Sequence, residues 1–223
     1  MEILTQVLWI KYLKQNYFLL KSAGVSIFIP LVNIYIFLPF LNYSSYLKYG
    51  IGTTLYNNII TYSQVFIPFF STWWSILTLK EFIEGQGNEV LFVNTKRTHL
   101  FVFINFIIFV FMLIPLYIVY FCLFDNMKLE FIKILIECVL FNSISFAIIS
   151  FFRSVTISLT LPVIYTMYSF LRGYSSQGID LSFVSLNEAT YEQLTDKYIP
   201  ILLVSIILFE VTRRTSSRTT RYQ

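Results

Sequence analysis

Apolar residues run along this chain in long blocks, broken by short polar segments. Crossing the hydrocarbon of a bilayer as helix takes about 20 mostly apolar residues. Six blocks reach or approach that length: Ala23–Leu41, Ile59–Leu79, Leu100–Leu123, Ile134–Phe152, Val155–Leu171 and Tyr198–Val211, the last two being short. The pattern predicts an all-α integral membrane protein with six transmembrane helices. The connecting segments are too small to fold alone, so residues 1–223 read as a single transmembrane domain.

Between the blocks, the polar stretches Asn42–Asn58 and Asp125–Lys133 read as the first two outer loops. Gly173–Lys197 is longer, and a connection of that length is expected to carry structure of its own, here a short, partly interfacial outer helix. Ahead of the first block, Trp9, Tyr12, Leu13, Asn16 and Leu20 fall on one side of a helix, with Lys11, Lys14, Gln15 and Lys21 on the other. This predicts an amphipathic interfacial helix over residues 1–22, its lysines toward anionic lipid and cytosol. No cleavable signal is expected in Met1–Leu20, because no basic start leads into an apolar core and a small-residue cleavage site.

Composition agrees with a membrane setting. Hydrophobic residues make up 57% of the chain and charged ones 13%, against roughly 25% charged in a soluble domain; mean hydropathy is +0.69. Lysine and arginine are retained on the cytoplasmic side. With both termini inside, the inner segments hold Lys11, Lys14, Lys21, Lys80, Lys96, Arg97, Arg153, Arg213, Arg214, Arg218 and Arg221, eleven of sixteen basic residues. The outer segments hold the other five: Lys48, Lys128, Lys133, Arg172 and Lys197. The net charge of +4 is thus a topology signal, and its scatter argues against nucleic acid as a partner.

Polar groups at membrane depth are costly and normally face protein or water. Asn33, Gln64, Asn105, Glu137, Asn142 and Glu210 lie in or at the edge of the blocks. Glu210 has Arg213 and Arg214 three and four residues on, which predicts a boundary ion pair; Glu137 has Lys133 four residues back, which predicts another. Asn33 and Asn142 read as hydrogen-bonding glue between helices. Pro30, Pro39, Pro68, Pro115, Pro162 and Pro200 mark kinks or helix starts, bends that a transport motion could also use.

Enzyme chemistry finds little support. The lone His99 has no histidine or cysteine partner in sequence and reads as an interfacial cap, and His-Glu-x-x-His, Gly-x-Ser-x-Gly and Gly-Lys pairs are absent. No cofactor site is expected in this chain. Cys122 and Cys138 fall toward the outer leaflet on neighbouring spans, which leaves a disulfide open.

The segment from Lys80 to Arg97, KEFIEGQGNEVLFVNTKR, resembles the first cytoplasmic loop of ABC-2-type exporter permeases. In that family an acid-and-glycine stretch leads to a Glu-x-Leu element, then a polar or proline turn and a basic residue before the third span. Glu84, Gly85 or Gly87, Glu89, Leu91 and Arg97 match; the glycine–glutamate spacing differs, and Asn94–Thr95 stands where proline is common. The basic amphipathic start, six spans, inner termini and long outer segment resemble the same family across the chain.

The resemblance implies a short cytoplasmic coupling helix near Asn88–Asn94, within the loop 80–99, seated in a groove of a separate ATP-binding subunit. Val90, Leu91 and Val93 would be its apolar contact, framed by Glu81, Glu84, Glu89, Lys96 and Arg97. ATP and magnesium would belong to that partner, present in two copies. A second permease chain, identical or related, would complete the pathway in the plasma membrane. Asn33, Gln64, Glu137 and Asn142 are the candidate polar residues of the pathway or bundle. Two other classes stay open: a non-transporting membrane partner such as an immunity, sensor or scaffold protein, and a membrane enzyme. An interior rich in aromatic side chains, with 24 Phe and 16 Tyr in the chain, would suit a hydrophobic or amphipathic peptide, lipid-linked compound or drug, but lipid-facing surfaces use the same residues.

Overall fold

The computed structural model describes residues 10, 11, 13–15, 17, 28–83, 98–173 and 189–219. Among these residues the fold is helical without strands, and from Phe28 onward it forms six rods. Rod α1 runs unbroken through Phe28–Val32, Asn33–Phe37 and Leu38–Tyr49; α2 is Thr53–Ile83, α3 Thr98–Leu123, α4 Met127–Phe152 and α5 Val155–Gly173. Rod α6 runs through Tyr191–Gln193, Leu194–Tyr198 and Ile199–Thr219. Each rod overlaps one predicted apolar block. Two described helices, His99–Leu123 and Met127–Phe152, are long and apolar enough to cross a membrane, and Val155–Tyr168 is a shorter apolar helix.

The first two connections expected as outer loops are much shorter than their polarity predicts. Most of Asn42–Asn58 is helix: α1 continues to Tyr49 and α2 starts at Thr53. Gly50 makes the turn at φ 68°, a left-handed conformation that glycine adopts without a side-chain clash, and its N–H caps the Tyr46 carbonyl at 2.8 Å. Ser45 and Asn58 then hydrogen-bond across the turn at 2.6 Å. Asp125–Lys133 is likewise no loop, since α4 begins at Met127. At the opposite end Arg153 (φ 49°) closes α4, and the Ser154 hydroxyl accepts the Ile157 N–H at 3.4 Å to start α5.

Two rods contain a wide, π-helical turn, and both turns have the same cause. Asn33–Phe37 and Leu194–Tyr198 each end one residue before a Leu-Pro or Ile-Pro pair, with Pro39 and Pro200 following. A proline cannot donate to the carbonyl four residues back and its ring crowds that carbonyl. The turn ahead widens, and the Leu38 and Ile199 N–H groups reach back five residues to Asn33 and Leu194.

Neighbouring rods alternate in direction. Phe37 meets Phe66 and Phe70 while Ser45 meets Asn58, so α1 and α2 are antiparallel. Tyr56 meets Phe124 and Thr78 meets Asn105, so α2 and α3 are antiparallel. Gln64 meets Glu130 and Ser71 meets Asn142, which makes α4 parallel to α2. Lys133 meets Tyr198 and Phe146 meets Phe209, which makes α6 parallel to α4. One end of the bundle therefore gathers Phe28, Ile83, Thr98, the α4–α5 turn and the Arg213–Arg214 end of α6. Exposed Lys80, Arg153, Arg213 and Arg214 lie there.

Apolar side chains cover much of the outside of the bundle, and polar ones are mixed into its apolar core. Ile36, Phe40, Phe103, Phe111, Ile118, Leu203 and Ile207 face outward, whereas Ser71, Thr78, Asn105, Glu130 and Lys133 are wholly buried. The core packs Ile67, Trp74, Phe109, Leu113 and Tyr117 between α2 and α3, with Ile134 and Cys138 from α4. At the near-terminal part of α1's upstream segment, Ile10, Leu13 and Tyr17 are helical and exposed, as are Lys11, Lys14 and Gln15. The rest of the expected interfacial helix lies outside the described residues.

Candidate functional site

Glu130, Lys133 and Glu137 are three and then four residues apart on α4, so they project from one face of that helix. That face turns inward. The Lys133 ammonium lies 3.4 Å from Glu130 Oε2, and both side chains have essentially no exposure. From α2, Gln64 Nε2 donates to the same oxygen at 3.4 Å. The other Glu130 oxygen accepts the backbone N–H of Ala189 at 2.6 Å, which ties the segment entering α6 to α4.

The wide turn of α6 completes the cluster. It delivers Tyr198, 1% exposed, beside Lys133, whose ammonium lies 5.7 Å from the ring centroid. Lys197, half-buried, lies 6.0 Å from the same ring. Tyr198 hydrogen-bonds Glu137, which is 2% exposed; Glu137 Oε1 has no partner among the described residues. Burying ions costs several kcal/mol each, offset only by close pairing and full hydrogen bonding. Glu130 is saturated in this way and Glu137 is not.

The expected boundary position of Lys133 and Glu137 is corrected: both are buried inside the bundle, where the Lys133 charge acts on Glu137 and its ammonium also pairs with Glu130. Gln64, expected as a bundle polar group, is part of the cluster. Asn142 does join helices: its amide donates to Ser71 Oγ of α2 at 2.8 Å and to the Cys138 carbonyl at 2.8 Å. Asn105 does the same for α3, donating to Thr78 Oγ1 at 2.5 Å. Asn33 opens the wide turn of α1 and lies away from this cluster.

Glu210 makes the expected pair, accepting from Arg213 at 2.6 and 2.7 Å and from Arg214 at 2.8 Å. Cys122 and Cys138 are free thiols, the first exposed and the second buried. Glu81 belongs to the last turn of α2, which runs on to Ile83, so the loop expected to start at residue 80 starts later. Glu84, Glu89, Val90, Leu91, Val93, Lys96 and Arg97 lie outside the described residues, as does the coupling helix expected at Asn88–Asn94. The same holds for residues 174–188 of the expected outer segment.

Sequence reasoning missed Glu130, Lys133 and Tyr198 as interior groups. The signal was available: charges recurring at three and four residues among apolar neighbours mark one helical face, while loop charges have no such period. The arrangement holds opposite charges buried in contact with α2, α4 and α6 together. Comparison with known protein families, characterised proteins and solved structures gives no match to this chain.

Proposed function

We propose that this chain is the membrane-spanning permease subunit of an ATP-driven exporter of the ABC-2 type, moving a hydrophobic or amphipathic substrate. The Lys80–Arg97 segment carries the reading, since its acids, glycines, Glu-x-Leu element and basic end resemble the family's coupling loop. Its place in the fold agrees: it joins antiparallel helices α2 and α3 at the end of the bundle where Arg153, Arg213 and Arg214 also cluster. Retention of basic residues makes that end cytoplasmic, within reach of an ATPase. The apolar exterior supports lipid around the bundle, and the six alternating rods support six crossings.

On this reading two permease chains and two ATP-binding subunits form the working unit. Nucleotide binding on the partner biases a two-state membrane element between inward and outward forms, with Val90, Leu91 and Val93 as the contact that transmits the change. The test is purification of the tagged full chain in mild detergent from cells producing its cognate ATPases. Expected is a bound ATP-binding subunit whose hydrolysis changes when the permease is present. A chain that moves substrate with no ATPase attached refutes the reading.

A further inference from the structure

The buried cluster holds more acid than base. Inside the bundle two carboxylates, Glu130 and Glu137, face one ammonium, Lys133, at exposures of 0 to 2%. Lys197 is the other cation nearby; it sits half-buried at the rim, and its charge also acts on Glu137. The other titratable groups buried among the described residues are phenols and a thiol: Tyr56 of α2, Tyr117 and Tyr120 of α3, Tyr198 of α6 and Cys138 of α4; the charged Lys128, Glu192 and Asp196 on the same helices are exposed. The phenols and the thiol are ordinarily uncharged at neutral pH. In the fully buried part of the cluster the carboxylates therefore outnumber the ammonium by one, and one carboxylate oxygen, Glu137 Oε1, has no hydrogen-bond partner among the described residues.

We propose that Glu130, Lys133 and Glu137 form a proton-binding site in which Glu137 takes up and releases one proton. The route is built from the side chains in place. Water at the Lys197 rim supplies the proton as hydronium, and the Tyr198 hydroxyl, hydrogen-bonded to Glu137, passes one proton inward as it accepts another. Hydronium becomes water and the Glu137 carboxylate becomes a carboxylic acid. The excess carboxylate charge is cancelled, and the Glu137 O–H becomes a donor facing Tyr198 and Glu130. Release reverses the steps. Because Glu130 also holds the Ala189 backbone, the charge state of the cluster bears on how the segment entering α6 is seated. The inference does not depend on an ATPase partner.

The test is infrared difference spectroscopy of the full chain in lipid nanodiscs over a pH series. At neutral pH exposed carboxyls are ionised, so a carboxylic acid carbonyl band reports a buried proton. The wild-type chain is expected to show one such band, which fades as pH rises. Glu137→Gln is expected to lose it while keeping the wild-type melting temperature, since the neutral amide mimics the protonated acid. Glu130→Gln is expected to lose it too, because one carboxylate then faces one ammonium. Absence of the band from the wild-type protein at every pH overturns the proposal without reliance on any variant. A band at full strength in either variant also overturns it.

Discussion

Asn142 on α4 donates to the Ser71 hydroxyl on α2 at 2.8 Å, with both side chains buried. The same amide donates to its own helix at Cys138, so the bond fixes α4 against α2 from a preset rotamer. Between membrane helices such a bond is worth ~0.6 kcal/mol on average and at most about 1.7 kcal/mol. A double-mutant cycle of Asn142→Ala and Ser71→Ala, read by unfolding in detergent, is expected to give a coupling energy in that range. A zero coupling would mean that shape, and no polar bond, holds the two helices together.

The charge cluster makes a larger prediction. Lys133→Met strips the ammonium from Glu130 and leaves two carboxylates buried together. Breaking a buried pair from one side costs about 3–5 kcal/mol, whereas replacing both members by neutral groups of similar size is often near neutral. Thermal unfolding is expected to show a large loss for Lys133→Met and recovery of most of it in Glu130→Gln/Lys133→Met, where the glutamine carbonyl still accepts from Ala189.

Much of the bundle was legible because hydrophobic blocks report helix interiors directly. Leu100–Leu123 became the apolar body of α3 with hardly a residue's change. Polar residues near block ends misled. Asn42, Ser44 and Ser45 look like loop, yet Asn42 and Ser45 pack into α1 against α1 and α2 partners, and only residues 50–52 turn. Glu130 and Lys133 look like solvent-exposed charges until each is seen to neutralise the other. A sequence read in order weighs each charge singly, whereas burial depends on the partner across the helix face. The inward setting of Tyr198 was beyond reach for another reason: it follows from the widened turn that Pro200 imposes.

The loop between α2 and α3 carries the functional prediction. Val90, Leu91 and Val93 are apolar residues in a polar segment, and a few buried anchors usually dominate an interface. Leu91→Asp is expected to weaken ATPase attachment by about 2 kcal/mol or more. Glu89→Gln should harm coupling more than attachment. Neither change touches an apolar block, so membrane abundance should stay near normal. Copurification, abundance and stimulated hydrolysis measured on the same preparations decide it; three unchanged values after Leu91→Asp would remove the loop as docking site.

Sidedness is open to direct measurement. A cysteine placed at Gln86 is expected to resist an impermeant thiol reagent in intact cells and to react after permeabilisation, because its loop joins the bundle end rich in exposed Lys80, Arg153, Arg213 and Arg214. The assay is run on a Cys122→Ser background, since Cys122 is an exposed thiol in its own right. Labelling at position 86 in intact cells would invert the assigned topology.

Helix α2 is the most polar of the long rods through its middle, with Thr61, Ser63, Gln64, Ser71, Thr72, Ser75 and Thr78 all buried, and it touches α1, α3, α4 and α5. Thr61, Ser75 and Thr78 donate to carbonyls of α2 itself, whereas Gln64 and Ser71 bond to α4 and Thr78 accepts from Asn105 of α3. Helix α2 is thus the element through which polar bonds join α3 and α4 to one another.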